Sequence, residues 1–242
     1  MKSIWKILLV CSCVSCHSNS ERKDTPIVPK TVEKPVLAKK INKNEPLSND
    51  IMEFVNYNDD GDYFLLNAKQ KDKTFSFIND SNDDRSLLRG DMIEISWKKD
   101  SISIAGDGET RVEAERIVSV KKIKDGNVSR FRKAYPQPLK YTWPQEEQYT
   151  RSYLDKLYLL TEYYIANSGN ALLKQQIKNK GELSYSIEKQ TRENKEYILI
   201  GIATVTAQHA ETVQWLYFDN DRDLLYEYDL PQDRLVKYEQ NH

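Results

Sequence analysis

Residues 87–99 read LLRGDMIEISWKK and residues 101–109 read SISIAGDGE. Ile93, Ile95 and Trp97 alternate with Glu94, Ser96 and Lys98, and Ile102 and Ile104 alternate with Ser101 and Ser103. A period of two places one set of side chains on a buried face, so both runs are predicted strands. Lys99-Asp100 between them reads as a tight hairpin, and Gly90-Asp91 as the corner before the first. Outward from here, alternating runs lie at 51–57, 63–69, 74–78 and 116–123, punctuated by Asn58-Asp59-Asp60-Gly61 and Gln70-Lys71-Asp72. Short strands with turn residues between them predict a meander. Ser86, Leu87 and Leu88, after an acidic run, predict one short helical turn between the third and fourth strands.

The Gly-Asp corner ahead of a strand with an inward Trp and aliphatic stripe resembles small bacterial OB-like or SH3-like modules. That resemblance implies an all-β small barrel, OB-like, over residues 51–126. Pro136, Pro138 and Pro144 deny backbone donors to any element, so 127–144 is expected to be a linker. Beyond it, Tyr149, Tyr153, Leu154, Leu157, Tyr158, Leu160, Tyr164 and Ile165 recur near a 3.6-residue period and predict a helix ending near Gly169. A second short helix is expected at 171–178, followed by alternating strands at 183–190, 196–208, 212–218, 224–229 and 234–238. Residues 145–242 therefore form an α+β domain with a helix packed on an antiparallel sheet, an order similar to cystatin-like or NTF2-like folds.

The chain has 242 residues, with 36 Lys+Arg against 37 Asp+Glu, 8 Gly, 8 Pro and 3 Cys. These figures exclude a collagenous chain, a disulfide scaffold and a multipass membrane protein. A net charge of -1 gives no global drive toward nucleic acid or an anionic membrane, and none is expected as a nucleic-acid partner. The charge is nevertheless uneven. Residues 111–140 carry 9 Lys+Arg against 3 Asp+Glu, a basic ridge, whereas 141–242 carry 11 against 16.

Residues 1–16 read MKSIWKILLVCSCVSC, a positively charged start, an apolar run and small residues before a cysteine. The run is too short to span roughly 30 Å of hydrocarbon. All three cysteines lie here, so a disulfide-stapled mature domain is excluded. The segment resembles a bacterial lipoprotein precursor with a type II signal peptide. The resemblance implies diacylglyceryl transfer to Cys16, or alternatively Cys13, cleavage before it, acylation of the new amine and anchoring to the membrane. An ordinary cleaved secretory peptide is the other reading. His17 after the lipidated position, where Asp would signal retention, implies the outer membrane. Residues 17–50, with Pro26, Pro29, Pro35 and Pro46 among scattered lysines, read as a disordered tether.

No catalytic constellation is visible. His17, His209 and His242 are far apart in the chain, and His209 reads as a loop residue. Asn56 to Gly61 begins like a calcium loop, but Asn67 stands where the closing carboxylate is needed. Asp219, Asp221 and Asp223 alternate carboxylates at a hairpin tip without the glycine of a calcium loop. Gly106-Asp107-Gly108 opens no helix, so no dinucleotide-binding loop is present. No enzyme, cofactor or metal is expected. The function implied is a lipid-anchored envelope protein with a non-catalytic binding or assembly role, acting with another envelope protein. The alternative is an inhibitor or immunity-like protein that presents the 219–223 hairpin to an envelope hydrolase.

Overall fold

The computed structural model describes residues 46–103, 110–144, 146–206 and 209–238. The expected signal segment with Cys13 and Cys16, the expected tether up to residue 45, His17, His242 and Gly106-Asp107-Gly108 lie outside these residues. Five strands close a barrel: β1 (Ser48–Asn58), β2 (Leu65–Gln70), β3 (Lys73–Ile78), β4 (Met92–Ser103) and β5 (Arg111–Lys124). The first strand starts at Ser48, inside the span expected to be tether, because Asp50 accepts from Trp97 Nε1 at 2.8 Å and draws that segment onto β4.

Around the barrel the order is β1-β2-β3-β5-β4, so the expected meander is corrected: β5 inserts between β3 and β4 and runs parallel to β3. Parallel closure rests on the single pair Ile78↔Arg116. Met52, Phe54, Leu66, Ala68, Phe77, Ile93 and Ile95 fill the interior, with Leu87 plugging one end. The alternation around Ile93 and Ile95 thus does place one face in a core.

The expected hairpin at Lys99-Asp100 is absent; β4 runs straight through it, pairing Lys99↔Glu115 and Asp100↔Ala114. A two-residue turn needs positive φ, which neither residue adopts, and Asp100 instead accepts from Ser101 N and, at 2.6 Å, from Arg116 Nε. The helical turn expected at 86–88 is also absent. Side chains take the backbone donors that a helix would use: Asn82 Oδ1 accepts from Asp84 N, and Asp84 Oδ1 from Ser86 N.

The span expected to be a linker folds. α1 (Asn127–Ala134) and β6 (Lys140–Thr142) occupy it, and Phe131, Tyr135 and Leu139 are buried in a second core. The prolines bracket elements here instead of preventing them: Pro136 and Pro138 fall between α1 and β6, and Pro144 follows β6. Next come α2 (Arg151–Asn167) and α3 (Ala171–Lys178). Thr150 Oγ1 caps α2 through Tyr153 N, and Asn170 Oδ1 caps α3 through Leu172 N and Leu173 N.

A six-stranded sheet completes the unit, in the order β11-β10-β9-β8-β7-β6. Its strands are β7 (Glu182–Arg192), β8 (Lys195–Val205), β9 (Ala210–Asp219), β10 (Leu224–Asp229) and β11 (Arg234–Lys237), with β6 at one edge. The sheet is mixed, since β6 pairs parallel to β7. Ile187, Ile200, Ile202, Leu216 and Phe218 face Leu157, Tyr164 and Leu173 of the helices, so the helices cover one face of the sheet.

Barrel and second core meet at Asp91, which is fully buried. Its Oδ1 accepts from Gly126 N at 2.8 Å and Ser129 Oγ at 2.6 Å, and its Oδ2 from Leu88 N at 3.0 Å. One carboxylate thus ties the corner before β4 to the start of α1. Gly126 is required here, because a Cβ on it would lie 2.3 Å from the Gly90 carbonyl carbon. A second tie joins α1 to α2: Arg132 donates to both carboxylate oxygens of Glu162, each at 2.7 Å, and the Glu162 side chain is only 3% exposed.

Candidate binding face

Strand alternation that sends Ile198, Ile200, Ile202, Leu216 and Phe218 to the helices sends Tyr197, Trp215, Tyr217, Tyr226 and Tyr228 to the opposite face. Tyr217 is buried among its neighbours; the other four rings are half-buried. Tyr197 meets Tyr217 and Tyr226 edge to face, with centroids 5.6 and 6.3 Å apart, and Tyr217 meets Tyr228 at 5.7 Å. Such tilted pairs are the arrangement that ring quadrupoles favour. The cluster spans three adjacent strands.

Gly201 extends the apolar surface toward β7. A Cβ there would fall 2.5 Å from Trp215 Cζ3 and 2.9 Å from Ser186 Oγ, so the indole lies against the glycine backbone where no side chain could stand. Two cations border the rings: Arg192 lies 5.5 Å from the Tyr228 centroid and Lys195 5.4 Å from that of Tyr197. Both are compensated. Arg192 pairs with Asp233 at 2.9 Å, and Lys195 bonds Asp219. Tyr228 Oη also donates to Asp233 at 2.8 Å; that bond holds the phenol above its ordinary range and the Asp233 carboxyl below its own. The face therefore offers aromatic rings and hydroxyls, with the two cations nearest the rings neutralised.

Other sequence-derived candidates fall elsewhere. His209 is an exposed loop residue between β8 and β9, its carbonyl accepting from Thr206. The 219–223 tip does not present three carboxylates: Asp219 is buried against Lys195 and accepts from Arg222 N, and Asp223 pairs with Lys156 at 2.8 Å. Asp59, in the loop resembling a calcium site, pairs with Arg85 at 2.9 Å. Among the described residues no group of three or more His, Cys, Asp or Glu could hold a metal ion. The basic ridge breaks into ion pairs: Arg116 with Asp80 and Asp100, Lys122 with Asp91 and Asp125, Lys133 with Asp125, and Lys140 with Glu182. Sequence reading missed the aromatic face, although its signal, Tyr or Trp at 197, 215, 217, 226 and 228 on the outward parity of three strands, was present.

No family model matches the chain, and no curated protein does. Two of the solved structures similar to it are the following. One is an aspartyl tRNA synthetase from Entamoeba histolytica, 8% identical with a TM-score of 0.25, covering 68% of this chain and 48% of that one. The chain thus spans about half the length of that structure. The other is the Ifi202 HINa domain in complex with 20-base-pair double-stranded DNA, 10% identical with a TM-score of 0.21, covering 82% of this chain and 96% of that one. The expectation that nucleic acid is not a partner is corrected in view of this DNA-bound neighbour and is withdrawn. At these TM-scores neither likeness carries an argument about this chain's fold or ligand.

Proposed function

We propose that this chain is a lipid-anchored protein of the bacterial envelope with a non-catalytic binding role, and that the tyrosine-rich sheet face is its recognition surface. The anchor is Cys16, with Cys13 as the alternative, and the leaflet is that of the outer membrane. The strand order β1-β2-β3-β5-β4 supports reading the barrel as OB-like. The single observation behind the binding role is the cluster of half-buried rings on the sheet face turned away from the helices. Aromatic residues are enriched in recognition surfaces because each ring offers apolar area and a polar tip. With Arg192 and Lys195 compensated, the matching ligand has flat apolar faces edged by hydroxyls, the chemistry of a glycan chain. The peptidoglycan of the envelope is such a polymer.

Two measurements test this. Intact mass of the membrane-extracted protein is expected to show cleavage before Cys16 with added acyl mass, and Cys16→Ser to remain unprocessed. Co-sedimentation of the full-length protein with purified peptidoglycan is expected to weaken at least tenfold in Tyr226→Ala and Trp215→Ala. Unchanged sedimentation in both variants, or binding to duplex DNA in place of peptidoglycan, refutes the glycan assignment.

A further inference from the structure

Once the ion pairs of the basic ridge are formed, Arg111, Lys121, Lys124 and Arg130 remain without a carboxylate partner among the described residues, and the last two share a site. Both line one cleft of about 120 Å³ together with Arg89, between the barrel corner and α1. The three side chains are exposed at its mouth. Each guanidinium is held by uncharged groups. Arg89 lies 4.0 Å from the Tyr163 ring centroid, and Arg130 donates to the Asp125 carbonyl at 2.6 Å and to Asn127 Oδ1. Their orientation is therefore fixed while their charge stays uncompensated.

The backbone around the cleft is equally constrained. The turn carrying Arg89 is pinned to β1 by Gly90 N donating to the Phe54 carbonyl at 2.9 Å and Phe54 N to the Asp91 carbonyl at 2.8 Å. Gly90 takes a φ of 92° to make that turn, and Gly126 packs on it without a side chain. Gly126 is also the N-cap of α1, and the Asp91 carboxylate already holds its N–H, so the cleft's positive charge comes from the side chains. One carboxylate, Glu53, lines the cleft; that of Asp125 is taken by Lys122 and Lys133. Three cations lining the cleft against the one carboxylate of Glu53 leave a net positive charge suited to an anion. The volume is well below the roughly 300 Å³ at which drug-sized ligands begin to fit, which restricts the ligand to one small group.

We propose that this cleft binds a phosphoryl group, presented either as free phosphate or as the phosphomonoester headgroup of a lipid. Arg89 and Arg130 supply oriented paired donors to its oxygens, and Lys124 supplies the point charge.

The test uses the full-length protein with inorganic phosphate as the probe, titrated in a calorimeter at constant ionic strength. Saturable binding is expected, weakened at least tenfold in Arg89→Gln and in Lys124→Gln. Lys124 makes no ion pair among the described residues, so its variant should keep the wild-type melting temperature in phosphate-free buffer. The same variants are then compared with wild type on phosphatidylcholine vesicles with and without phosphatidic acid. Phosphatidic acid-dependent association that falls in the variants identifies the lipid headgroup. Loss confined to inorganic phosphate identifies the free ion; both results support the site. Non-saturable phosphate titration, or equal affinity in wild type and both variants, overturns it.

Discussion

Asp91→Ala removes the joint between barrel and helical layer. The variant leaves Gly126 N and Ser129 Oγ, both buried, without their acceptor, and Leu88 N, half-buried, without its own. A buried donor left unpaired costs about 1–3 kcal/mol. Two full losses and one partial loss sum to about 4 kcal/mol. Lys122, 3.4 Å away, adds little because it keeps Asp125 at 3.1 Å. Against a typical stability of about 5–15 kcal/mol this is a large share, and at about 2–4 °C per kcal/mol it lowers the melting temperature by about 8–16 °C. Urea unfolding followed by tryptophan fluorescence, with calorimetry in parallel, measures both. Ser129→Ala, which gives up the 2.6 Å bond to Asp91 and a long 3.5 Å one from Lys122, should cost about 1 kcal/mol. A loss below about 1 kcal/mol in Asp91→Ala would show that the four groups find other partners and that this carboxylate does not hold the two parts together.

Four further outcomes are expected. Gly126→Ala forces a methyl to within 2.3 Å of Gly90 C and 2.7 Å of Asp91 N, backbone atoms that cannot yield, and should cost about 2–3 kcal/mol in thermal unfolding. Arg132→Ala leaves the buried Glu162 carboxylate unpaired; urea curves should show a loss of about 3 kcal/mol, at the low end because Arg132 is itself 43% exposed, and adding Glu162→Gln should recover part of it. Burial, with Asp84 nearby, pushes the Tyr57 hydroxyl up to about 12. The folded form therefore keeps its proton while the unfolded chain releases it near pH 10, so this stability is present below pH 10 and lost as pH rises to about 12; Tyr57→Phe should flatten that loss in unfolding curves at alkaline pH. The hydrogen bond from Arg116 holds Asp100 below the usual carboxylate range, so its contribution is present above pH about 4 and lost as pH falls below; Asp100→Asn should make the acid-unfolding limb shallower.

Helices α2 and α3 were the most legible elements. The stripe from Tyr149 to Ile165 acts within a few residues, and local signals of this kind survive in sequence. Strands were legible as runs but not as partners. Nothing near Arg111–Lys124 announces that it inserts beside β3, because that pairing spans the whole barrel. Lys99-Asp100 resembled a turn only by polarity, and the bond from Arg116 to Asp100 belongs to a residue sixteen positions away. Prolines misled at 127–144 because they deny donors inside an element but not at its ends, where Pro136 and Pro144 stand. The aromatic face needed the register of three strands before its tyrosines could be placed together. Likewise, the basic ridge was visible as a count, but only the fold shows which cations remain uncompensated at the cleft.

The first described strand is an interior one. β1 is flanked by β4 over Ser48–Glu53 and by β2 over Glu53–Asn58, with Asp50 latched to Trp97. Any tension reaching the folded unit from residues before 46 is delivered first to that strand, not to a loose end. To extract it, a load must break the β4 ladder and then the β2 ladder in succession, with the inward Met52 and Phe54 dragged from the core as it goes. A pulling experiment from the N-terminus should accordingly meet its main resistance within the first dozen residues of β structure, while the sheet and its tyrosine face stay intact and slack behind it.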